Sequence, residues 1–217
     1  MKKFLTALAV GVLTVVAALG FSACGGKDEV KYTVTEEEWN AAFDVLDFKT
    51  DVDRPDFSST IVVTGEEGGS ANAIFDFSGK KFYITEGSGD DKFEYRFWKG
   101  SDGVTYGSDG ETKTIPNAGL EDIMISNLEM FFADIMDFAG FDIECKFTDF
   151  TFNADKNVYV QTKDGNTISV KFENAKIVEI NAESVTEGVK TTAECTIKYN
   201  QHVTIPEEIL NMEITKN

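Results

Sequence analysis

Along most of the chain, from Phe48 to Tyr199, apolar and polar residues alternate in short runs that are separated by turns rich in glycine, aspartate and serine. Such runs predict β-strands with one apolar face, and short strands joined by tight turns are typical of an antiparallel meander. Asp164-Gly165 is a strong signal for a two-residue hairpin turn. The tail Asn200–Asn217 is predicted to be irregular, with one short turn. The predicted strands are Thr60–Thr64, Ala71–Phe77, Lys81–Thr85, Lys92–Trp98, Val104–Tyr106, Glu111–Ile115, Phe141–Phe152, Val158–Lys163, Thr167–Phe172, Lys176–Ser184 and Lys190–Tyr199.

A short helix is predicted before the first strand. It begins at the capping box Thr35-Glu36-Glu37-Glu38, in which the Thr35 and Glu38 side chains each bond the backbone amide of the other residue. The residues that follow place one apolar face on a helix of about three turns. They are Trp39, Ala42, Phe43 and Leu46.

The central segment Asn117–Phe141 interrupts the alternation, because its apolar residues recur at helical intervals. A second capping box, Ser126–Glu129, predicts two helices here, at 119–125 and 127–139, which end at Gly140. The apolar face of a long sheet must be covered, and these helical segments are the elements available. We therefore expect an α+β fold: a single long curved antiparallel sheet, a half-barrel meander, with the N-terminal helix and the central helical insertion packed on its concave apolar face.

The segment Met1–Gly26 has the layout of a secretory signal. Lys2 and Lys3 give a basic start, Phe4–Phe21 contains no charged residue, and small residues precede Cys24. An uncleaved transmembrane anchor is the alternative, because the uncharged run is close to the length that spans a bilayer.

The residues Phe21-Ser22-Ala23-Cys24 resemble the lipobox of bacterial lipoproteins, in which the cysteine is acylated and the chain is cut before it. Phe21 departs from the aliphatic residue that is usual at the first lipobox position. The resemblance implies a signal peptide at 1–23, a lipidated tether at 24–34 and a single domain at 35–217, held at the extracytoplasmic face of a bacterial membrane. A diacylglyceryl group on Cys24 supplies the two acyl chains that stable anchoring needs.

The charge balance narrows the choice of partners. The chain has 38 acidic and 20 basic residues, a net charge of −18. This charge repels the phosphates of nucleic acids and anionic lipid head groups. We therefore exclude nucleic acid as a partner and expect the domain to stand off the membrane on its lipid. We also expect a monomer.

Cys145 and Cys195 both fall on the apolar phase of predicted strands. In an exported chain, an even pair of cysteines allows a disulfide. Small buried thiols are also common in protein cores, so the sequence leaves both alternatives open.

The sequence offers no catalytic constellation. His202 is the only histidine and follows the last predicted strand, where a surface position is expected. There is no Gly-x-Ser-x-Gly motif and no phosphate-binding glycine loop. Asn153-x-Asp155-x-Asn157 imitates the start of a calcium loop, but Val158 replaces the required glycine. We therefore expect a protein without catalytic activity, metal or cofactor.

The order of elements resembles the LolA-like and LppX/LprG-like lipoproteins, half-barrels whose concave side holds helices and often a lipid. The shared order is a helix after the tether, a meander, a central apolar helical insertion and a second meander. Lys198–Pro206 is similar to the end of the LprG-like group, which closes with a polar break, an apolar pair and a proline. The resemblance spans most of the mature chain and rests on this layout.

This resemblance implies that the protein binds a lipid or another hydrophobic ligand. The methionine- and phenylalanine-rich central segment suits an adaptable apolar pocket, although its periodicity fits a filled core equally well. The alternative is a cell-envelope interaction module with a filled core that binds protein or cell-wall polymer. The candidate ligand-lining residues are Trp39, Phe43, Leu128, Phe131, Phe132, Ile135 and Met136.

Overall fold

One antiparallel sheet of eleven strands forms the body of the protein. The computed structural model describes residues 30–47, 52–64, 69–88, 91–138, 145–186 and 189–215. Its helices are α1 (Glu36–Leu46), α2 (Leu120–Phe138) and the single turn α3 (Glu207–Leu210). Its strands are β1 (Phe57–Thr64), β2 (Gly69–Asp76), β3 (Lys81–Ser88), β4 (Asp91–Lys99), β5 (Thr105–Ser108), β6 (Lys113–Thr114), β7 (Thr151–Asn153), β8 (Val158–Lys163), β9 (Asn166–Glu173), β10 (Lys176–Thr186) and β11 (Val189–Tyr199). The predicted signal peptide, including the lipobox, and Cys24 lie outside the described residues.

The sheet consists of two meanders in the order β6-β5-β4-β3-β2-β1-β11-β10-β9-β8-β7. The pairing of β1 with β11 joins them in the middle, from Phe57 opposite Tyr199 to Thr64 opposite Thr192. The chain leaves the first meander at one edge of the sheet and enters the second at the other, so the segment between β6 and β7 crosses the sheet.

The crossing segment explains why the sheet is curved around a helix. Eleven strands extend about 48 Å around the sheet, whereas α2 is about 28 Å long. Curvature brings the two edges closer, and α2 contacts β3 and β4 of one meander and β10 and β11 of the other. The predicted α+β half-barrel, with a helix on its concave face, is confirmed.

The concave face carries the core. Across the first meander, Phe57 lies opposite Phe75, and Phe75 lies opposite Phe82. Each of these two pairs has ring centroids 5.0 Å apart. In the second meander Phe172 lies opposite Ile177, and all five side chains are fully buried. The apolar phase of the sequence alternation is therefore the inner face of the half-barrel.

Helix α1 begins at the predicted capping box. The Thr35 hydroxyl accepts a hydrogen bond from the Glu38 amide at 3.2 Å, and the Glu38 carboxylate accepts one from the Thr35 amide at 2.9 Å. Trp39 then anchors the helix: its side chain is fully buried, and its indole N–H donates to the Cys145 carbonyl at 2.7 Å. The rings of Phe43, Phe147, Phe150, Tyr159 and Phe172 surround it.

The domain starts a few residues earlier than Thr35. The Lys31 carbonyl accepts a hydrogen bond from the Asn174 amide at 2.9 Å. The Val34 amide donates to the Tyr159 hydroxyl at 3.0 Å, and this hydroxyl donates to the Val34 carbonyl at 3.1 Å. Lys31–Asn217 forms one compact unit. Residues 31–34, which the sequence assigned to the tether, therefore pack as part of the domain.

Helix α2 is one continuous helix, and the prediction of two helices separated near Ser126 is wrong. Leu120, Met124, Leu128 and Phe132 recur every four residues and are all buried. A break at Ser126 would interrupt this buried stripe, so packing on the sheet overrides the local capping signal. The predicted end at Gly140 lies outside the described residues. No helix among those described is long and apolar enough to span a membrane.

The strand predicted at Phe141–Phe152 is much shorter in the structure. Residues 145–146 are irregular, Phe147–Asp149 forms a 3₁₀ turn, and only β7 is strand within the described part. Cys145 is therefore half-buried outside the sheet, instead of facing inward from a strand.

Cys195 lies in β11 as predicted and is fully buried. Its sulfur lies 3.2 Å from the Ser59 hydroxyl oxygen. Cys145 and Cys195 therefore lie in different parts of the fold, one outside the sheet and one within β11, and the disulfide between them stays a prediction. The predicted hairpin is also present: Asp164 and Gly165 connect β8 to β9 and both have positive φ angles, 52° and 85°.

The C-terminal segment 200–215 covers part of the convex face. Val203, Ile205 and Ile209 pack around Trp98 in a second, smaller core. The Lys81 ammonium group donates to the Val203 carbonyl at 2.9 Å, which fixes the segment to β3. The tail is irregular with one short turn, α3, as predicted.

Candidate functional site

An open groove of about 250 Å³ lies on the concave face, where β3 and β4 meet α2. The strand register builds it, because Ile84 lies opposite Tyr95 and Glu86 lies opposite Phe93. Side chains from both strands therefore lie next to each other on the inner face, and α2 adds one polar residue. The groove is lined by Ile84, Glu86, Phe93, Tyr95, Phe97 and Asn127.

Exposed aromatic rings distinguish this groove from the rest of the concave face. Phe93 is 66% exposed and Tyr95 is 45% exposed, whereas Phe82 on the neighbouring strand is fully buried. The rings of Tyr95 and Phe97 are stacked, with centroids 6.3 Å apart. Phe93 is the most exposed large apolar side chain in the described part of the chain. Exposed apolar surface beside a groove is typical of a binding site.

The polar groups of the groove come from Glu86 and Asn127. One amide N–H of Asn127 already donates to the Ile123 carbonyl at 2.8 Å, so this side chain is partly committed to its own helix. Among the described residues that line the groove there is no lysine or arginine. The guanidinium group of Arg96 lies on the other face of β4, where it bonds Glu94 at 2.6 Å and lies over the Tyr83 ring.

The residues predicted to line a ligand site lie elsewhere. Trp39 and Leu128 are fully buried, and Phe132 is 5% exposed in the main core. Phe43 is partly buried and packs on Trp39, with ring centroids 5.0 Å apart. The side chains of Phe131, Ile135 and Met136 lie outside the described part of the chain. The described members of the predicted lining therefore pack as core, and their role in ligand binding stays a prediction.

The sequence did contain part of the signal for the groove. The alternation in Lys92–Trp98 correctly placed Phe93, Tyr95 and Phe97 on one face of a strand. It carried no information on where α2 would lie on that face, and this position decides which rings stay exposed.

A second cluster joins Asp56, Asp76 and His202 at the edge of the convex face. One side-chain ligand atom from each residue lies within 4.8 Å of the others. The imidazole Nδ1 of His202 is 3.3 Å from Asp56 Oδ2 and 3.7 Å from Asp76 Oδ1. His202 is exposed, as predicted. Its carboxylate neighbours could not be predicted from the sequence, because Asp76 and His202 are far apart along the chain.

The carboxylates of this cluster accept hydrogen bonds from backbone amides. Asp76 is buried and accepts hydrogen bonds from the amides of Gly79 at 2.6 Å and Val203 at 3.0 Å. Asp56 accepts from the amide of Ser78 at 2.9 Å and also from its hydroxyl. A Cβ atom at Gly79 would collide with the Asp76 carboxylate, so the turn requires glycine here.

The charge state of Asp56 follows from these contacts. Burial opposes its ionisation, but the hydrogen bonds from Ser78 and the neighbouring His202 outweigh this effect, and the pKa of Asp56 is lowered. Two carboxylates and an imidazole are a donor set that can hold a divalent cation. In the structure these carboxylate oxygens accept hydrogen bonds from amide and hydroxyl donors, which fasten the C-terminal segment to the turn at 77–80.

No protein-family model matches the chain, and no curated protein matches it. The class of protein is therefore defined by the fold: an open α+β half-barrel with a helix on its concave face and a tail across its back. The function has to be argued from the chemistry of the groove.

Proposed function

We propose that this protein is an extracytoplasmic bacterial lipoprotein that binds a lipid or another hydrophobic ligand without transforming it. The observation that supports the proposal is the groove with its exposed Phe93 and Tyr95 rings. The proposed binding site thus lies at β3, β4 and α2, beside the lining predicted from the sequence.

The exposed rings can contribute substantially to binding. Covering the exposed two thirds of Phe93 removes about 130 Å² of apolar surface, which contributes about 3 kcal/mol before the cost of association is subtracted. Tyr95 adds a smaller area and a hydroxyl group that can donate or accept a hydrogen bond. A groove of this size suits a small apolar molecule or one end of an acyl chain.

Attachment to the membrane is the second part of the proposal. The lipobox-like residues Phe21–Cys24 support lipidation of Cys24, and the acidic domain is then held near the membrane by its lipid. Replacing Cys24 with alanine should release the protein from membranes or leave it unprocessed. Unchanged membrane attachment together with an unchanged mature mass would exclude the lipoprotein assignment.

Binding is tested with N-phenyl-1-naphthylamine, an uncharged dye that fluoresces when it enters an apolar site. The Cys24→Ala chain should bind the dye saturably, and Phe93→Ser should weaken binding about tenfold or more. Val189→Ser is the matched control, because Val189 is 50% exposed outside the groove. Equal affinities of the Phe93→Ser and Val189→Ser proteins would refute this site.

The alternative function is an interaction module of the cell envelope that binds protein or cell-wall polymer. The tightly packed surroundings of Trp39 favour it, since a filled core predicts a dry interior. The same dye titration separates the two functions. Absence of saturable binding, in a protein that is folded by circular dichroism, would favour the interaction module.

A further inference from the structure

We infer that the ligand of the groove is a small amphiphile that carries a positively charged ammonium group on its apolar chain. This inference rests on the proposed function, because it adds a chemical class to the ligand of the same site. It follows from the polar groups, the aromatic rings and the charge of the chain.

Glu86 is the charged side chain in the groove. It lies directly opposite Phe93 on the paired strands, so a carboxylate and an aromatic ring stand next to each other on the same face. None of the described ion pairs includes Glu86, and no lysine or arginine is among the described residues that line the groove. A carboxylate is only a hydrogen-bond acceptor, so a ligand that complements it must bring a donor or a positive charge.

The aromatic rings complement the same group. The face of an aromatic ring carries partial negative charge and attracts an ammonium group that approaches within about 6 Å of its centre. Elsewhere in this protein, rings already hold cations in this way: Lys113 lies 4.9 Å from the Tyr106 ring centre, and Lys176 lies 4.9 Å from that of Tyr199. In the groove the rings of Phe93 and Tyr95 are exposed, so they are accessible to a cation from solution.

The overall charge disfavours anionic ligands. The chain has a net charge of −18, and Glu86 adds its own negative charge at the groove itself. Carboxylate and phosphate groups on a ligand would therefore be repelled both at long range and at the site. Fatty acids and anionic phospholipids are consequently disfavoured, whereas a single-chain cationic amphiphile is attracted by Glu86, the charged residue of the groove lining.

The experiment compares three probes with the same octyl chain, below their micelle concentrations: octyltrimethylammonium, octanol and octyl sulfate. Their dissociation constants are measured by displacement of N-phenyl-1-naphthylamine from the Cys24→Ala protein. We expect octyltrimethylammonium to bind about tenfold more tightly than octanol, and octyl sulfate to bind most weakly. In Glu86→Gln the preference for the cation over octanol should fall to about threefold or less, with octanol binding unchanged.

Glu208→Gln is the matched control, since it removes the same charge from the exposed turn α3, outside the groove. An equal loss of cation affinity in both variants would show a general charge effect and overturn the inference. Equal binding of octanol and the cation by the unsubstituted protein would also overturn it, while the proposed apolar site would stand. If the dye bound but none of the three probes displaced it, the inference would fail while the apolar site would stand. If the dye itself did not bind, the proposed function would fail together with the inference.

Discussion

Replacing Asp76 with alanine removes the carboxylate that fastens the C-terminal segment to the back of the sheet. Asp76 is 1% exposed and lies between the turn at 77–80 and Val203. Its loss leaves the Val203 amide without its acceptor in a buried position. Gly79 lies in an exposed turn, so its amide can bond water instead. The substitution therefore has a large free-energy cost at the buried Val203 amide and a small one at the Gly79 amide.

The magnitude follows from this difference. A buried amide left without a partner costs about 1–3 kcal/mol, and a hydrogen bond that water can replace costs about 1 kcal/mol. We expect Asp76→Ala to lower the free energy of unfolding by about 2–4 kcal/mol, a large part of the total for a domain of this kind. The loss should appear first as release of Val203 and Ile205 from Trp98.

Tryptophan fluorescence can detect that release, because the two tryptophans report on different places. Trp39 is fully buried in the main core, and Trp98 is 5% exposed beneath the C-terminal segment. In Asp76→Ala, acrylamide should quench Trp98 and leave Trp39 protected. Urea unfolding of the same protein gives the free energy of unfolding. Asp155→Ala is the control, since it removes a carboxylate from an exposed turn. A loss below about 1 kcal/mol with unchanged quenching would show that Asp76 does not hold the segment.

Three further predictions concern single side chains. The pKa of Asp56 is lowered from 3.8, so its stabilising contribution is complete above that pH and is lost as the pH falls through the lower pKa of the folded protein. Urea unfolding at a series of acidic pH values should therefore show a weaker pH dependence of the unfolding free energy for Asp56→Asn. An unchanged pH dependence would contradict this role. Trp39→Ala should cost about 3–5 kcal/mol of unfolding free energy in denaturant titrations. Trp39→Phe keeps a ring but loses the hydrogen bond to the Cys145 carbonyl, and it should cost clearly less. Equal losses in the two variants would mean that ring packing does not anchor α1. Burial raises the pKa of the Cys195 thiol to about 12, so iodoacetamide at pH 8 should modify Cys195 only in unfolded protein, and rapid labelling of the native protein, detected by peptide mass spectrometry, would disprove that burial.

Local signals in the sequence were sufficient for most of the fold. The capping box at Thr35–Glu38 and the Asp164-Gly165 turn depend on neighbouring residues alone, and both occur as predicted. The strand alternation gave the inner face, because the period of two is a property of the strand itself. The order of elements then gave the half-barrel, since a single apolar face required a cover.

The errors arose where distant packing outweighed a local signal. Ser126 resembles a helix start, but the buried stripe through Leu120 and Leu128 holds α2 straight through it. The sequence around Cys145 alternates like a strand. In the structure, however, the Cys145 carbonyl lies outside the sheet and accepts a hydrogen bond from the buried Trp39 indole. The groove and the Asp76–His202 cluster depend on contacts between distant segments, which one sequence cannot reveal.

The central pairing of β1 with β11 also determines how the chain can fold in time. Thr64 and Thr192 are hydrogen-bonded although they are 128 residues apart, so the two meanders cannot join until nearly the whole chain is present. Closing so long a loop places the protein among slowly folding β topologies. If the protein is exported as proposed, this slow folding leaves the chain unfolded, and therefore able to cross a membrane, until its last strand is available. A chain that stops before Val189 would expose β1 as an unpaired edge, where strands of other chains could add and aggregate.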